Sequence, residues 1–480
     1  MRVLAIDQGT SSTKALVVED GGRIAAAEAV AVNPRSGPGG AVEQDANELL
    51  DSIITAGRHA MQTAGGRIDA IGIANQGETV LAWDPRTGEP LGPAVSWQDR
   101  RAVAVTEGLA DRAERLTEIT GLPLDPYFSA PKLNWLAARV QQGAVVGPVD
   151  AWINRQLTGR YMTDAATASR TLLLDLHSGE WSQEACDVFG IDIEALPEIV
   201  DCAGPLGETG AFGDELPVAG LVVDQQAALF AESCLEAGEA KCTYGTGAFL
   251  LANAGQRPAS STSRLASCMA WRLGGISTYC LDGQVYSAGS ALTWLEQIGL
   301  VDGAAALDQV ESSVPDADSP VFVPGLSGLA APFWAPTARG AWLGLSLASS
   351  RDDLISGFIW GIAAQVASLA RAMQSDLATP IRALRVDGGM TRSARLMQAQ
   401  ADLLQAPVEV YPSPDATALG AAAFARIGAT GAALDARSAV GAWRPASIFE
   451  PQISTEQAEQ IVRRFERCAS LLVELAADER

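Results

Sequence analysis

The stretch Ala5-Ile6-Asp7-Gln8-Gly9-Thr10-Ser11-Ser12 decides the fold, because a buried strand ends there on a carboxylate and enters a polar, glycine-bearing turn. Residues 14–18 then return as a second strand, and Gly21-Gly22 predicts a tight hairpin into a third, residues 24–32. Turn N–H groups and hydroxyls can donate to phosphate oxygens, while the carboxylate holds Mg²⁺ directly or through water. Taken alone, the same residues also fit an ordinary hairpin with an Asx-type turn.

A similar hairpin recurs near the middle of the chain. Lys241-Cys242-Thr243-Tyr244 leads into Gly245-Thr246-Gly247, and residues 248–252 return as a strand. Two hairpins of one type, each opening an α/β segment, predict an internal duplication. The length of 480 residues suits two domains. We predict an N-terminal domain over residues 1–235, with the phosphate turn and the substrate pocket, and a nucleotide-binding domain over residues 236–480.

Charge and cysteine usage exclude several classes of protein. The chain has 57 acidic residues against 34 basic ones, a net charge of −23, which repels nucleic acid and anionic membranes, so neither is an expected partner. Seven cysteines without a CxxC pair argue against a disulfide framework and a zinc site and indicate a reducing cytosol. The N-terminus lacks a signal-peptide pattern, and the longest apolar stretch, residues 355–370, is expected to be too short to span a bilayer and carries Gln365. These features predict a soluble cytoplasmic protein.

Two common nucleotide-binding motifs are absent from the sequence. The three lysines, Lys14, Lys132 and Lys241, are not followed by serine or threonine, so there is no P-loop ending in Gly-Lys-Ser/Thr. Leu250 stands where a dinucleotide fingerprint beginning at Gly245 needs its third glycine. Neither of the two histidines lies in a motif, so carboxylates are expected to carry any general acid–base step.

Carboxylates and amides at strand ends are the candidates for chemistry. Asp224-Gln225-Gln226 follows the apolar run 221–223; Asp224 fits either a helix N-cap or a base that takes the proton of a hydroxyl attacking a γ-phosphoryl group. Asn75-Gln76-Gly77-Glu78, with Trp97 and Tyr127, suits a polyol-binding wall, although core packing also explains the two aromatic residues. Val386-Asp387-Gly388-Gly389 ends a strand before a helix, where glycines admit a ligand to the helix N-terminus.

Together these segments resemble the FGGY family of carbohydrate kinases, and within it the glycerol kinases, from residue 3 to about residue 430. The resemblance rests on the stretches already quoted and on further ones: Ser96-Trp97-Gln98-Asp99-Arg100-Arg101, Leu124-Asp125-Pro126-Tyr127-Phe128-Ser129, Ala331-Pro332-Phe333-Trp334 and Thr417-Ala418-Leu419-Gly420-Ala421-Ala422.

The resemblance implies an α/β fold of two ribonuclease H-like, actin-type ATPase domains that close over ATP and substrate in a catalytic cleft between them. It implies that Asp224 is the general base and Asp7 a carboxylate of the Mg²⁺ site, and that the two converge across the cleft. For ATP it implies Thr10, Ser11, Ser12, Lys14, Thr246, Gly289, Thr293, Gly389 and Ser393. For the polyol it implies Gln76, Glu78, Trp97, Tyr127, Asp224 and Gln225.

Two departures from the glycerol kinase pattern bear on the substrate. Gly77 stands where those enzymes carry arginine, which removes donors from the polyol and opens space beside it; Lys14 also replaces an arginine. Glycerol is the leading expected substrate, phosphorylated to glycerol 3-phosphate; a longer polyol or a ketose, such as erythritol or xylulose, is the alternative. The Gln-Met-His-Gly signature typical of xylulose kinases is absent.

A non-catalytic ATP-binding sensor or an actin-like assembly protein on the same fold is the rival interpretation. The presence of both Asp7 and Asp224 disfavours it, because a pure binder has no need for the second carboxylate. The sequence leaves the oligomeric state open, with a homodimer and a tetramer among the alternatives.

Overall fold

The computed structural model describes residues 1–141, 143–310, 313–431 and 433–478. The strands are β1 (Val3–Gln8), β2 (Ser12–Val18), β3 (Ile24–Ala31), β4 (Arg35–Ser36), β5 (Val42–Gln44), β6 (Ala70–Asn75), β7 (Val80–Trp83), β8 (Ala94–Val95), β9 (Val145–Pro148), β10 (Met162–Asp164), β11 (Leu174–Asp175), β12 (Glu180–Trp181), β13 (Glu198–Val200), β14 (Ala203–Thr209), β15 (Leu216–Val223), β16 (Ala240–Tyr244), β17 (Ala248–Gly255), β18 (Ala266–Leu273), β19 (Ile276–Val285), β20 (Val321–Val323), β21 (Ala341–Leu343), β22 (Leu384–Asp387), β23 (Val408–Val410) and β24 (Ser447–Phe449).

The α-helices are α1 (Ala46–Ala64), α2 (Val103–Gly108), α3 (Ala113–Thr120), α4 (Ser129–Ala137), α5 (Val149–Thr158), α6 (Ala165–Ala168), α7 (Gln183–Phe189), α8 (Asp224–Ala231), α9 (Gly289–Gln297), α10 (Arg351–Leu377), α11 (Ala394–Leu404), α12 (Ala416–Ala429), α13 (Ala436–Val440) and α14 (Thr455–Asp478). Short 3-10 helices lie at Asp20–Gly22, Pro38–Gly40, Ala110–Arg112, Ile193–Ala195, Ala304–Gln309 and Gly389–Arg392.

The first large sheet has the strand order β14-β15-β6-β1-β2-β3. β1 pairs antiparallel with β2 and parallel with β6, and β6 pairs parallel with β15. Helices cover both faces, with α1 against β1 to β3 on one and α12 against β1, β6 and β15 on the other. This double cover explains why β1 is a continuous buried apolar run, since neither face of the strand meets water.

The second large sheet has the order β18-β19-β17-β16-β22-β23-β24. Its β16 pairs antiparallel with β17 and parallel with β22, which in turn pairs parallel with β23. The centre of each sheet therefore shares one pattern: a strand forms an antiparallel hairpin with the next strand and pairs parallel with a later one. The third antiparallel strand differs, because β3 follows β2 directly in the chain, whereas β17 pairs with β19 and β18 lies beyond β19. This shared pattern supports the internal duplication, which stays a prediction.

Helix α12 belongs to the second half of the sequence but packs on the first sheet and on α8. The contact is unusually close because small residues line it. A Cβ atom added at Gly420 would lie 2.0 Å from the carbonyl oxygen of Ala227, and one at Gly72 would lie 2.1 Å from that of Ala421. Neither position accepts a side chain without movement of a backbone, so α12 is fitted to this site by its glycines and alanines.

Helix α10 corrects one expectation from the sequence. It is 27 residues long with a mean hydropathy of 1.4 in its most apolar window, so by length and composition it could cross a membrane. The prediction that this stretch is too short was therefore wrong. Its apolar window is 83% buried inside the protein, which makes α10 a core helix of the second half.

Candidate active site

Three parallel strands of the first sheet, β1, β6 and β15, place the candidate residues at one edge. Asp7 and Val222 both pair with Ala74, so Asp7 and Asp224 end two strands that flank β6. With strands about 4.8 Å apart, their backbones are roughly 10 Å from each other. The two carboxylates thus converge along one sheet edge, which corrects the expectation that they face each other across the cleft. The carboxylate that approaches Asp7 from the second sheet is Asp387, whose charge raises the pKa of Asp7.

Asp224 has an electrostatic setting suited to accepting a proton. Burial, reinforced by the nearby charge of Asp7, raises the pKa of Asp224 to about 6, while the backbone N–H of Gln225 donates to its Oδ1 at 2.7 Å and opposes that rise. Burial also raises the pKa of Asp7 to about 6, against the opposing charge of Lys14. With pKa values of about 6, both carboxyl groups are mainly ionised at neutral pH, and the charge of Asp7 near Asp224 favours a cation in their vicinity.

The phosphate turn between β1 and β2 has the geometry that its sequence predicts. The Gly9 N–H donates to the Ser12 carbonyl oxygen at 3.1 Å, while Ser11 is exposed and Thr10 and Ser12 are partly buried. Lys14 Nζ pairs with Asp415 Oδ1 at 3.1 Å. Asp415 was missed in the sequence because it lies 401 positions away, directly before α12.

Trp97 and Gln76 join the predicted polyol wall to this turn. The indole Nε1 of Trp97 donates to Thr10 Oγ1 at 2.9 Å, and the Thr10 hydroxyl donates to Gln76 Oε1 at 3.3 Å. Gln76 is only 2% exposed, and its Nε2 donates to Gln44 Oε1 at 2.9 Å, so its amide is held by the fold. Trp97 packs edge-on against Tyr127 at 5.7 Å between ring centroids, and against Phe249 of β17 at 6.4 Å, which brings the second sheet to the wall.

Glu78 is held by a buried charge cluster that the sequence did not reveal. Arg170 Nε pairs with Glu78 Oε1 at 2.6 Å, and Arg170 Nη1 pairs with Asp282 Oδ2 at 2.7 Å. All three side chains are 4% exposed. Glu78 has a φ of 56°, a left-handed backbone that a non-glycine residue adopts at a cost of about 1–3 kcal/mol. The ion pair with Arg170 stabilises that conformation and fixes the carboxylate.

Tyr127 is positioned by a buried lysine. Lys132 Nζ donates to the carbonyl oxygens of Pro126 at 3.0 Å and Phe128 at 2.7 Å, and also to that of Tyr127. Burial lowers the pKa of Lys132 to about 7, while the charges of Glu78 and other acids oppose that fall. Three converging carbonyl oxygens thus hold residues 126–128 in the bend that directs Tyr127 towards Trp97.

Gln225 is fixed from the second sheet. Lys241, which is fully buried, donates through Nζ to Gln225 Oε1 at 2.6 Å and to Thr243 Oγ1 at 2.7 Å. Its charge also opposes the rise that burial causes in the pKa of Asp387. All three lysines of the chain, Lys14, Lys132 and Lys241, therefore lie at or beneath this site, so positive charge is focused here in a protein of net charge −23.

The predicted nucleotide residues of the second hairpin lie together. The Gly289 N–H donates to the Gly245 carbonyl oxygen at 3.0 Å, and the Ser290 N–H to that of Thr246 at 2.9 Å. A Cβ atom at Gly289 would lie 2.3 Å from the Gly245 oxygen, so only glycine permits this approach. Thr246 is exposed on the turn and Thr293 is exposed on α9, which begins at Gly289.

Gly389 and Ser393 differ in how accessible they are to a nucleotide. Gly389 is exposed with open space around its Cα, directly after Gly388, whose φ of 96° lets it approach the backbone of Tyr244. Ser393 is fully buried; its Oγ donates to Asp308 Oδ1 at 2.7 Å and accepts from the Leu396 N–H at 3.2 Å as the N-cap of α11. Its hydroxyl thus has structural partners, and its contact with a nucleotide stays a prediction.

The carboxylates at this site suit a magnesium ion that takes most of its ligands from phosphate oxygens and waters. Among the described residues no group of three His, Cys, Asp or Glu side chains is arranged to hold a metal. Mg²⁺ is commonly bound through one or two carboxylates with waters and substrate phosphates. Asp7 and Asp387 supply such carboxylates, and Asp387 Oδ1 is buried without a hydrogen-bond partner in the described part of the chain.

Comparison with known proteins places this geometry in a family. The FGGY family of carbohydrate kinases matches through its N-terminal domain over residues 2–231 and through its C-terminal domain over residues 240–429. A glycerol kinase of Alkalilimnicola ehrlichii is 41% identical, and one of Thermus brockianus is also 41% identical; each alignment covers 97% of both chains.

Solved structures show the same architecture. The Plasmodium falciparum glycerol kinase with ADP superposes with a TM-score of 0.90 at 28% identity, covering 98% of both chains. A xylulose kinase from Rhodospirillum rubrum gives a TM-score of 0.88 at 25% identity, covering 99% of this chain and all of the other. These matches confirm the predicted pair of ribonuclease H-like, actin-type domains. The chain belongs to the FGGY family of carbohydrate kinases and is a phosphotransferase that acts on an alcohol group.

Proposed function

We propose that the chain transfers the γ-phosphoryl group of ATP to a terminal hydroxyl of glycerol. The observation that carries this proposal is the setting of Asp224, which directly follows β15 and lies within electrostatic range of both Asp7 and Glu78. The full-length similarity to proteins named glycerol kinase supports the same substrate.

Asp224 acts as the general base in this proposal. Its carboxylate accepts the proton of the substrate hydroxyl as that oxygen attacks the γ-phosphorus and the bond to the ADP oxygen breaks. Glu78 and Gln225 receive the vicinal hydroxyls, and both are already immobilised by buried cations, Arg170 and Lys241. Because the side chains of Glu78 and Gln225 are already fixed, they can orient the reacting hydroxyl without a further loss of conformational entropy.

The phosphate side is assigned to the first hairpin. Lys14 and the hydroxyls of Thr10, Ser11 and Ser12 stabilise the negative charge of the transferring group, with Asp7 on the metal side. When bound, Mg²⁺ would neutralise phosphate charge. Thr246, Gly289, Thr293, Gly389 and Ser393 are assigned to the rest of the nucleotide, in the half that begins near residue 236.

Gly77 bears on the length of the substrate that the pocket can accept. Within 4 Å of a Cβ atom added there, the described structure places only Val223 Cγ2, at 3.1 Å. The polyol pocket is therefore open on this side, which favours a longer polyol or a ketose as the second candidate. Further parts of the proposal are the division at residue 235, a cytoplasmic location and a freedom from nucleic-acid and membrane partners. Helix α12 crosses this division, since it belongs to the second half of the sequence and packs on the first sheet.

The test is an ADP-release assay over a panel of polyols and ketoses with MgATP. We expect glycerol-stimulated turnover that falls by about 10²–10⁴-fold in Asp224→Asn. ATP binding without stimulation by any member of the panel would support the non-catalytic sensor instead.

Gly77→Arg tests the substrate. It should lower the KM for glycerol and raise the KM for four- and five-carbon polyols, because a guanidinium would fill the open side. Gly77→Ala is the matched control, since it introduces the close contact with Val223 but no donors. Equal effects of the two variants on glycerol would contradict the pocket assignment.

A further inference from the structure

A cavity of about 230 Å³ lies behind the junction of the two halves. Its walls come from the β2–β3 hairpin at Gly21 and Gly22, from the end of α8 at Ser233, from α12 at Arg426 and from the segment with Trp443 and Arg444. β2 is seven residues long, so the hairpin end is about 20 Å from the phosphate turn at its other end. The hairpin wall of the cavity is therefore distant from the phosphate turn, whereas the wall at Ser413 lies two residues from Asp415, the partner of Lys14.

Arg426 is the feature of this cavity that needs an explanation. It is 9% exposed, and its Nε has no hydrogen-bond partner among the described residues. Its Nη2 donates to the Glu19 carbonyl oxygen and its Nη1 to that of Ala439 at 3.5 Å. These two hydrogen bonds join the backbones at Glu19 and Ala439 and explain the positions of Nη1 and Nη2. They do not provide a counterion for the positive charge of the guanidinium.

The charged side chains that line the cavity around Arg426 are all positive. Burial lowers the pKa of Arg426, and the opposing charge is that of Asp20, which is 81% exposed in its ion pair with the chain N-terminus. Among the described residues that line the cavity there is a second arginine, Arg444, and no aspartate or glutamate. The chain has a net charge of −23, whereas the described lining of this cavity has two arginines and no acidic residue, so it differs in sign from the protein as a whole.

We propose that this cavity binds a small organic anion through its phosphate or carboxylate group, with Arg426 and Arg444 as the recognising cations. Guanidinium groups pair with both kinds of oxyanion in the same planar fork. The hydroxyl residues Ser413 and Ser233 and the ring of Trp443 also line the cavity. The volume is below that of pockets for drug-sized ligands, about 300–1,000 Å³, so the ligand is a molecule of a few carbon atoms.

The site touches both halves of the protein. Trp443 stacks on Tyr411 at 5.8 Å and lies against Arg385 of β22 at 4.7 Å, so it packs against the second sheet, whereas Gly21 and Gly22 lie in the turn between β2 and β3 of the first. Helix α12 runs from Asp415, the partner of Lys14, to Arg426, a rise of about 16 Å over eleven residues. An anion held here would contact the same helix whose other end borders the phosphate turn.

Calorimetric titration of the full chain with inorganic phosphate, and separately with malonate, tests the proposal. Lys14→Met is the background, because it weakens anion binding at the phosphate turn. We expect saturable binding of at least one anion to this variant, weakened at least tenfold by adding Ala442→Glu, which places a negative charge at the exposed rim of the cavity. Binding of phosphate alone or malonate alone would each support the site and identify its ligand class.

Ala477→Glu is the matched control, since it makes the same change of charge at an exposed position of α14. It should leave anion binding unchanged. Absence of saturable binding in Lys14→Met, or equal weakening by Ala442→Glu and Ala477→Glu, would overturn the proposal. Arg444→Gln gives an independent check, because Arg444 is exposed and its replacement leaves the core intact.

Discussion

The indole Nε1 of Trp97 donates a 2.9 Å hydrogen bond to the hydroxyl of Thr10, which ties the wall of the substrate pocket to the turn assigned to the transferring phosphate. Thr10 lies in the turn between β1 and β2, and Trp97 lies in the turn after β8, 87 positions away.

Trp97→Phe should raise the KM for the polyol and lower kcat, together reducing kcat/KM by roughly fivefold. The reason is the loss of one hydrogen bond of about 1 kcal/mol and a less well-ordered Thr10. Steady-state kinetics with the preferred polyol measure this. Trp181→Phe is the control, since it also loses one indole bond, a 2.8 Å contact to the Pro197 carbonyl oxygen, at a position outside the site; an equal loss in both variants would contradict the link.

Activity should depend on the ionisation of Asp224. Its pKa is raised to about 6, so a base that must be ionised loses activity as pH falls through that value. We expect kcat/KM to fall as the pH decreases below about 6, with a slope that approaches tenfold per pH unit, and to be independent of pH just above that range. A profile that stays level down to pH 5 would show that no group with this pKa controls the reaction.

Asp224→Asn should stabilise the unliganded protein at neutral pH although it removes activity. The pKa of Asp224 is raised from 3.8 in the unfolded chain to about 6 in the fold, so the native state loses stability as pH rises between these values and carries the full penalty above 6. With allowance for partial exposure, the gain is about 1–2 kcal/mol at pH 7 and vanishes below pH ~4.

Urea unfolding at several pH values measures this gain. Asp51→Asn, on the exposed face of α1, is the control and should leave the free energy of unfolding nearly unchanged. Destabilisation by Asp224→Asn at pH 7 would mean that the carboxylate contributes to folding rather than opposing it.

Arg170→Met should lower the free energy of unfolding by about 3–5 kcal/mol, because Glu78 and Asp282 would remain buried without their cation. Chemical denaturation measures the loss. Arg437→Met breaks an ion pair whose side chains are 67% and 71% exposed, and it should cost less than about 1 kcal/mol. Similar losses in the two variants would contradict the role assigned to the buried cluster.

Gly420→Ala should destabilise the protein although alanine is the better helix former by about 1 kcal/mol. The added methyl would lie 2.0 Å from the Ala227 carbonyl oxygen, and neither backbone can yield cheaply. In Gly108→Ala, where a Cβ atom meets nothing within 4 Å, thermal unfolding should be unchanged or slightly later. A Tm for Gly420→Ala equal to that of the parent protein would show that α12 moves freely on α8.

Local patterns in the sequence predicted a large part of the fold and part of the site. The two hairpins are visible because strand, turn and strand are contiguous, and Asp7 and Asp224 are visible because each ends an apolar strand. Arg170 and Asp282 were not predictable: each is a single charged residue in its own segment, and their meeting with Glu78 depends on contacts 92 or more positions apart. The pairing of Asp7 and Asp224 along one edge depended on strand order, which no local pattern specifies.

The packing position of α12 could not be predicted from the sequence either, because its run of alanines is compatible with packing on either sheet. Ala418, Ala422 and Ala425 complete the core formed by Val3, Ala5, Leu16 and Val18. During synthesis the ribosome must therefore add about 200 further residues after α8 before this face can be covered, a delay of about 10–40 s at 5–20 residues per second. The nascent N-terminal half waits through that interval with an apolar sheet face open to chaperones, so a truncation before residue 416 should yield an aggregation-prone fragment rather than an independent domain.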